Sequence, residues 1–408
     1  MHLFINGLAA SAGGGLTYIR NVIPRLADVS GLQVTVALAP SLCEEIRGLR
    51  GVNFVELEVP APRRFCYEQS ALPGLIRRCG ADVLLSAGNF ALRRSPVPQI
   101  LLSRNSIYTS ADFYRDLLQR KEYRLWVDTR LRAALAKRSI SWASVTVAPS
   151  EAFAAELRHW MGARVRGQTS LGARGGVAEV DNDKIRVRVI YHGFDREEFS
   201  RDSTPLSADV QNQLQAAEGS LKLLFVSHYN YYRNFETLIR ALSLLRNRGG
   251  RPVKLLLTCK LAAGENPGAY RTEAAASLIR DIGVSDMVLQ LGAVPYTQLH
   301  QLYRRADLYV TPAYTETFAH PLVEAMASGL PVVASDLPVH REICGGGAVY
   351  FPRFSPQALA DRVAELASSA DLTRQLSVCG AERAATFSWK KHVEELLLLA
   401  RALVAPTN

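Results

Sequence analysis

The stretch Tyr314-Thr-Glu-Thr-Phe-Ala-His-Pro-Leu-Val-Glu-Ala-Met-Ala-Ser-Gly-Leu-Pro-Val-Val-Ala-Ser-Asp336 places two carboxylates, a helix start and an apolar run in one short segment. Pro321 suits the first position of a helix, where its missing N–H costs nothing. Glu316 is therefore expected in a loop and Glu324 on the helix. Gly329 suits the helix C-cap, and the Leu-Pro-Val-Val-Ala-Ser that follows reads as a buried strand of a parallel sheet. In such sheets ligands bind beyond the carboxyl ends of the strands, beside helix N-termini whose free N–H groups and dipole favour phosphate. The loop carrying Glu316 occupies that kind of position.

The same alternation of apolar runs and amphipathic helical segments fills nearly the whole chain, which indicates βα units and an α/β fold with parallel sheets. In the first half, strands are expected near 2–6, 33–39, 53–59, 82–86, 99–103, 144–148 and 186–191. Helices are expected between them, including a long one within 109–138, loosely periodic and expected to be partly exposed, facing a partner. In the second half, strands are expected near 221–227, 253–258, 287–291, 307–311 and 331–335. Helices are expected at 234–247, 268–282, 296–305 and 321–328, then at 355–368 and 371–385 beyond the last strand. Glycines and charges over 164–183 read as a flexible insertion, and the weaker stretch 196–220 as a linker. The expected organisation is an acceptor-side domain over 1–195, a second domain over 221–385, and a terminal helix over 386–408 that crosses back to the first.

A chain of 408 residues is long for one core, and 48% hydrophobic with 21% charged residues is an ordinary soluble balance. The opening His-Leu-Phe-Ile-Asn-Gly reads as a strand, so no signal peptide is expected. No segment offers the roughly 18 uninterrupted apolar residues of a membrane span. Cys43, Cys66, Cys79, Cys259, Cys344 and Cys379 are scattered without metal-like or redox spacing, which fits reduced thiols in a cytoplasmic protein. The net charge of +10 is unevenly placed: residues 1–188 hold 26 Lys plus Arg against 16 Asp plus Glu, whereas 189–408 hold 22 of each. A basic first half favours an anionic partner, such as a phospholipid surface at the inner face of a membrane. No basic and aromatic platform recurs, so nucleic acid is not expected.

Three constellations carry chemistry. Gly13-Gly14-Gly15 lies between the opening strand and a helix, where glycine lets backbone N–H groups approach a phosphate or sugar. It lacks the acidic residue that completes a dinucleotide fingerprint. In Ser227-His-Tyr-Asn-Tyr-Tyr-Arg-Asn234, a strand end presents His228 and Arg233; Arg233 can fork onto a diphosphate. Third, a carboxylate can hold two vicinal hydroxyls, so Glu324 suits a ribose and Glu316 a hexose. The N–H groups of Phe318, Ala319 and His320 can meet the sugar or the diphosphate. Paired glutamates also occur in glycoside hydrolysis, but no separate acid–base partner is visible here.

The stretch from Glu316 to Ser335 resembles the signature of the retaining nucleotide-sugar glycosyltransferases of family 4. The resemblance extends through the amino-terminal glycines, Ala148-Pro-Ser150, Val189-Ile-Tyr-His-Gly-Phe-Asp195, Arg233-Asn234, Leu291-Gly-Ala-Val294 and Ala306-Asp-Leu-Tyr-Val-Thr-Pro312. It implies the GT-B fold, two Rossmann-like doubly wound domains facing across a cleft. It also implies transfer of a hexosyl group, with retention, from a nucleotide diphosphate sugar to a saccharide or lipid-linked acceptor, with neither metal nor cofactor. On the family pattern Glu316 contacts the transferred sugar, Glu324 holds the ribose, and Arg233 with His228 faces the diphosphate. The donor set is completed by Gly14, Gly15, Val294, Phe318, Ala319, His320, Pro321 and Leu322. Four departures stand out. His228 replaces a usual arginine, Ser227 a usual glycine, and Thr317-Phe318-Ala319 the common Gly-Phe-Gly. Leu102-Ser-Arg104-Asn105 occupies the stretch where many members carry a histidine, which makes Arg104 and Asn105 the acceptor-side candidates. Two alternatives stay open: an epimerase or phosphorylase of the same architecture, and a non-catalytic nucleotide-sugar-binding subunit.

Overall fold

The computed structural model describes residues 1–10, 13–162, 186–266 and 270–405. The insertion expected over 164–183 lies outside the described residues. The chain forms two compact units, one of Met1–Thr109, Val127–Gly193 and Ser388–Asn408, the other of Ser110–Trp126 and Phe194–Phe387.

In the first unit the strands are β1 (His2–Asn6), β2 (Gln33–Leu38), β3 (Val52–Glu56), β4 (Val83–Ser86), β5 (Gln99–Leu102), β6 (Val145–Ala148) and β7 (Val187–Val189). They form one parallel sheet in the order β3-β2-β1-β4-β5-β6-β7. The order reverses between β1 and β4, which opens a crevice at their carboxyl ends. Most strand residues are buried, as continuous Val, Leu and Ile runs require when helices cover both faces. The terminal helix Trp389–Val404 belongs to this core. Trp389, Val393, Leu396, Leu397 and Ala400 pack in one cluster with Leu3, Ile5, Tyr18, Val34 and Val83.

In the second unit the strands are β8 (Leu221–Phe225), β9 (Val253–Leu257), β10 (Val288–Gln290), β11 (Leu308–Thr311), β12 (Val332–Ser335) and β13 (Ala348–Phe351). They are also parallel, in the order β10-β9-β8-β11-β12-β13, with the reversal between β8 and β11. Strand β13 and the helix Pro338–Cys344 before it correct the expectation that only helices follow 331–335. β13 has four residues and sits at the sheet edge, only half of them buried, so its sequence carries a weak strand signal. The stretch 196–220 holds two helices, Arg196–Phe199 and Ala208–Ala216, capped by Asp195 and Ser207.

The single helix expected within 109–138 is two, Ala111–Gln119 and Tyr123–Trp142, broken at Lys121, whose φ of 57° is left-handed. The first of the two joins the second unit through polar groups. The Tyr314 hydroxyl donates to Asp116 at 2.8 Å, Arg120 bridges Asp116 at 2.7 Å and Glu236 at 2.8 Å, and the Tyr231 hydroxyl donates to Glu122 at 2.7 Å. Phe113 adds an edge-to-face contact with Tyr232. Apart from Asp116 and Arg120, which are four residues apart, these partners are more than 100 residues away in sequence, so helix periodicity alone could not reveal the break.

Candidate functional site

In the second unit the two adjacent strands at the reversal point present the key side chains. Beyond β8 the chain makes a short 3-10 turn, Tyr231–Arg233, then passes through Asn234 at φ 55° into the helix Phe235–Arg246. The Asn234 side chain donates to the carbonyls of Pro312 at 3.0 Å and Arg353 at 2.7 Å, and accepts from Thr237 at 2.8 Å. The N–H of Tyr314 donates to the Tyr232 carbonyl at 3.0 Å. These bonds tie the loop after β8 to the loop after β11. They bring Arg233 against Glu316, 83 positions away in sequence, as a charge-assisted hydrogen bond from Nη1 to Oε2. The pair is mostly buried, with side-chain exposures of 19% and 12%. Burial works against the Arg233 charge, but the Glu316 carboxylate outweighs it and leaves the guanidinium above its ordinary pKa. The Arg233 Nε is buried without a partner.

Glu316 lies in the loop and Glu324 on the helix His320–Ala327, which has Pro321 in its first turn. The helix closes on a double hydrogen-bonded cap: Gly329 N–H to the Met326 carbonyl at 3.0 Å and Leu330 N–H to the Ala325 carbonyl at 2.9 Å, with Gly329 left-handed at φ 74°. Glu324 is 3% exposed and accepts from the Tyr303 hydroxyl at 2.8 Å. Burial pushes its pKa up to about 7, against the lowering effect of that hydrogen bond. Ala319, where the family pattern has glycine, sits at φ 63°. A side chain in that region costs about 1 kcal/mol, held here by the buried neighbours Phe318 and Leu322. Those two side chains belong to the core, so their part in a site is limited to backbone.

His228 is exposed, and partial shielding of its ring together with Arg233 lowers its pKa, favouring the neutral form. Val294 lies in the loop after β10, two strands from β8. Gly14, Gly15, Arg104 and Asn105 belong to the first unit, with Arg104 Nη1 donating to the Gly14 carbonyl at 3.0 Å. Asn105 caps a short turn by accepting from the Ile107 N–H at 3.3 Å.

Residue types alone did not single out Asn234, Tyr303, Ser335 and His340. Ser335 donates to the Ala313 carbonyl, and the fully buried His340 meets the Ser335 carbonyl through Nδ1 at 2.9 Å. Burial holds His340 neutral, with a pKa of about 4. Together they brace the loop that carries Glu316 from behind.

Residues 208–383 match the model of the glycosyl transferases group 1 and residues 12–166 that of glycosyltransferase family 4, between them most of the chain. The chain belongs to glycosyltransferase family 4. Among curated relatives of the chain, the D-inositol 3-phosphate glycosyltransferase of Nocardia farcinica is 29% identical over 247 residues, covering 56% of this chain and 54% of that protein. The protein of the same name from Nocardiopsis dassonvillei is 28% identical over 260 residues, covering 60% of each. The chain thus spans a little over half the length of the curated relatives it matches. Among solved structures, sucrose-phosphate synthase from Thermosynechococcus elongatus superposes with a TM-score of 0.71 at 18% identity, covering 99% of both chains. Anabaena HepE in complex with UDP-glucose gives 0.70 at 16% identity, covering 98% of this chain and all of that one. At these identities the likeness establishes the GT-B fold.

Proposed function

We propose that this glycosyltransferase moves a hexosyl group from a nucleotide diphosphate sugar to a hydroxyl of a saccharide or lipid-linked acceptor, with retention at the anomeric carbon. The observation that carries this reading is the pairing of Arg233 with Glu316 at the carboxyl ends of β8 and β11, with Glu324 on the helix that follows Glu316. The titles of the HepE structures, which name UDP and UDP-glucose, support a nucleotide-sugar donor. Without donor, Arg233 is neutralised by Glu316; an incoming diphosphate offers it a second anion, and Glu316 is then released to accept from sugar hydroxyls. As the bond from the anomeric carbon to the β-phosphate oxygen breaks, charge grows on the phosphate, where Arg233 and the N-terminus of the helix His320–Ala327 stabilise it. The acceptor oxygen bonds to the same face of that carbon, and its proton passes to the departing phosphate. No dedicated base or metal is needed on this route. The test is a donor screen by thermal shift, then proton NMR of the product with and without chelator. An inverted anomer, or donor altered in the absence of acceptor, would replace this reading with another.

Glu324 sets a pH dependence. With a pKa of about 7 it is mostly protonated at pH 6 and mostly ionised at pH 8. The ionised form is the better acceptor for two ribose hydroxyls, so nucleotide affinity should tighten about tenfold over that interval. Glu324→Gln should bind more weakly and lose the pH slope. A slope of opposite sign in calorimetry would remove Glu324 from the ribose.

The acceptor is proposed to be presented at the inner face of a membrane. Support comes from the basic excess in residues 1–188 and from the helix Tyr123–Trp142, where exposed Val127 and Leu131 lie among exposed Arg132, Lys137 and Arg138. Among the described residues no helix is long and apolar enough to cross a membrane. Cosedimentation with anionic vesicles should be strong at low salt and weak at 0.5 M salt; salt-independent recovery in the supernatant would end the membrane proposal.

A further inference from the structure

The helix Ala111–Gln119 lies amid first-unit residues in sequence but packs within the second unit. Asp112, Asp116 and Arg120 recur at every fourth residue and so share one face of it. That face meets the loops after β8, β11 and β13. Asp116 uses both oxygens: Oδ2 accepts from the Tyr314 hydroxyl at 2.8 Å and Oδ1 from Arg120 Nε at 2.7 Å. Arg120 Nη1 donates to Glu236 at 2.8 Å, and its guanidinium lies 4.4 Å from the centroid of the Tyr231 ring. Glu122, just beyond the helix, accepts from the Tyr231 hydroxyl and from Arg271 Nε, each at 2.7 Å. At the other end Asp112 pairs with Arg353 at 2.5 Å, and the Arg353 carbonyl accepts from the Asn234 side chain.

These partners bracket the Arg233–Glu316 pair. Tyr231 precedes Arg233 by two residues, Asn234 follows it, and Tyr314 precedes Glu316 by two. The side chains of Asp112, Asp116, Arg120 and Glu122 are only 13%, 15%, 20% and 14% exposed. Burial works against the Arg120 charge, but Glu236 and Asp116 outweigh it and hold the guanidinium above its ordinary pKa. A helix face that served packing alone would be apolar. Buried ion pairs give little net stability over apolar packing of the same volume, so what this face contributes is fixed geometry.

The geometry points to Asp116 and Arg120 as positioning residues for the donor site: through Tyr314 they set Glu316, and through Tyr231 and Glu236 they set Arg233. The inference rests on the glycosyltransferase reading and adds to it the groups that fix the spacing of the two site charges before a donor binds. Neither residue touches the donor.

The test uses the full-length wild type, Asp116→Ala, Tyr314→Phe, Tyr231→Phe and the double variant Asp116→Ala/Tyr314→Phe. The first readout needs no ligand. The amides of Arg233, Asn234 and Tyr314 are bonded to the carbonyls of Asn230, Tyr231 and Tyr232, and their hydrogen exchange should speed up about fivefold or more in Asp116→Ala. The second is calorimetry with UDP, UDP-glucose, GDP and GDP-mannose. Tyr314→Phe loosens Glu316, which faces the sugar, so the nucleotide sugar should bind about fivefold more weakly while the free nucleotide stays within twofold. Tyr231→Phe loosens Arg233, so nucleotide and nucleotide sugar should weaken alike. The double variant should bind no more weakly than Asp116→Ala alone, because both changes remove the same hydrogen bond. Exchange within twofold of wild type in Asp116→Ala overturns the inference. Equal weakening of nucleotide and nucleotide sugar in Tyr314→Phe, or no weakening of either, overturns it as well, since a merely structural contact would not separate the two. A wild type that binds none of the four probes defeats the glycosyltransferase reading instead, and the exchange rates then decide the role of Asp116.

Discussion

Glu316→Ala is expected to lower turnover about a thousandfold while UDP affinity stays the same or rises. Removing one group that stabilises a transition state through preorganised hydrogen bonds costs about 10²- to 10³-fold. Glu316 is proposed both to hold the transferred sugar and to keep Arg233 in place, so the upper end applies. Its loss leaves Arg233 without its carboxylate partner. A buried, unpaired guanidinium gains more from a diphosphate than a paired one, so the nucleotide should bind at least as tightly. Titration with UDP and a transfer assay under saturating donor separate the two effects. Turnover unchanged within a few-fold would remove Glu316 from the reaction, and a parallel collapse of UDP binding would make its role structural.

Gly193→Ala is expected to destabilise the first unit by about 3 kcal/mol or more, at the upper end of overpacking effects. A Cβ at Gly193 would lie 2.0 Å from the Trp389 backbone nitrogen, 2.3 Å from its Cα and 2.4 Å from the Ser388 carbonyl carbon. Backbone atoms cannot rotate aside as a side-chain tip can, so the terminal helix would have to move. That helix is held at the same place by His392 Nδ1, 2.8 Å from the Tyr191 carbonyl, and by His192 stacked on Trp389 with ring centroids 5.6 Å apart. Scanning calorimetry should show a transition lowered by about 10 °C at the size of this unit. Gly14→Ala, with no atom within 4 Å of the added Cβ, should melt like wild type. If both variants melt alike, the close approach of Gly193 and Trp389 is not what requires glycine.

Gly193 shows how far the linear chain could be read. Its place in Val189-Ile-Tyr-His-Gly-Phe-Asp195 marked it as part of a family motif, but its contact is with residues almost two hundred positions later. The same holds for the halves of the site. Pro321, Gly329 and the apolar run between Leu330 and Ser335 act within one turn of helix or one strand, so local chemistry placed Glu316 in a loop and Glu324 on a helix. The pairing of Glu316 with Arg233, the hydroxyl that Tyr303 gives to Glu324, and the Ser335–His340 brace depend on which strands lie side by side.

What the sequence alone determined, then, was the α/β class, the parallel strands and the positions of the two glutamates, because these follow from the period of buried residues and from caps that act over a few residues. The tertiary structure alone decided that 110–126 packs with the second unit, that the long helix breaks at Lys121, and that Arg104 turns onto the carbonyls of Gly14 and Ala87. Those outcomes depend on desolvation and on partners distant in sequence, and neither leaves a periodic trace in the chain.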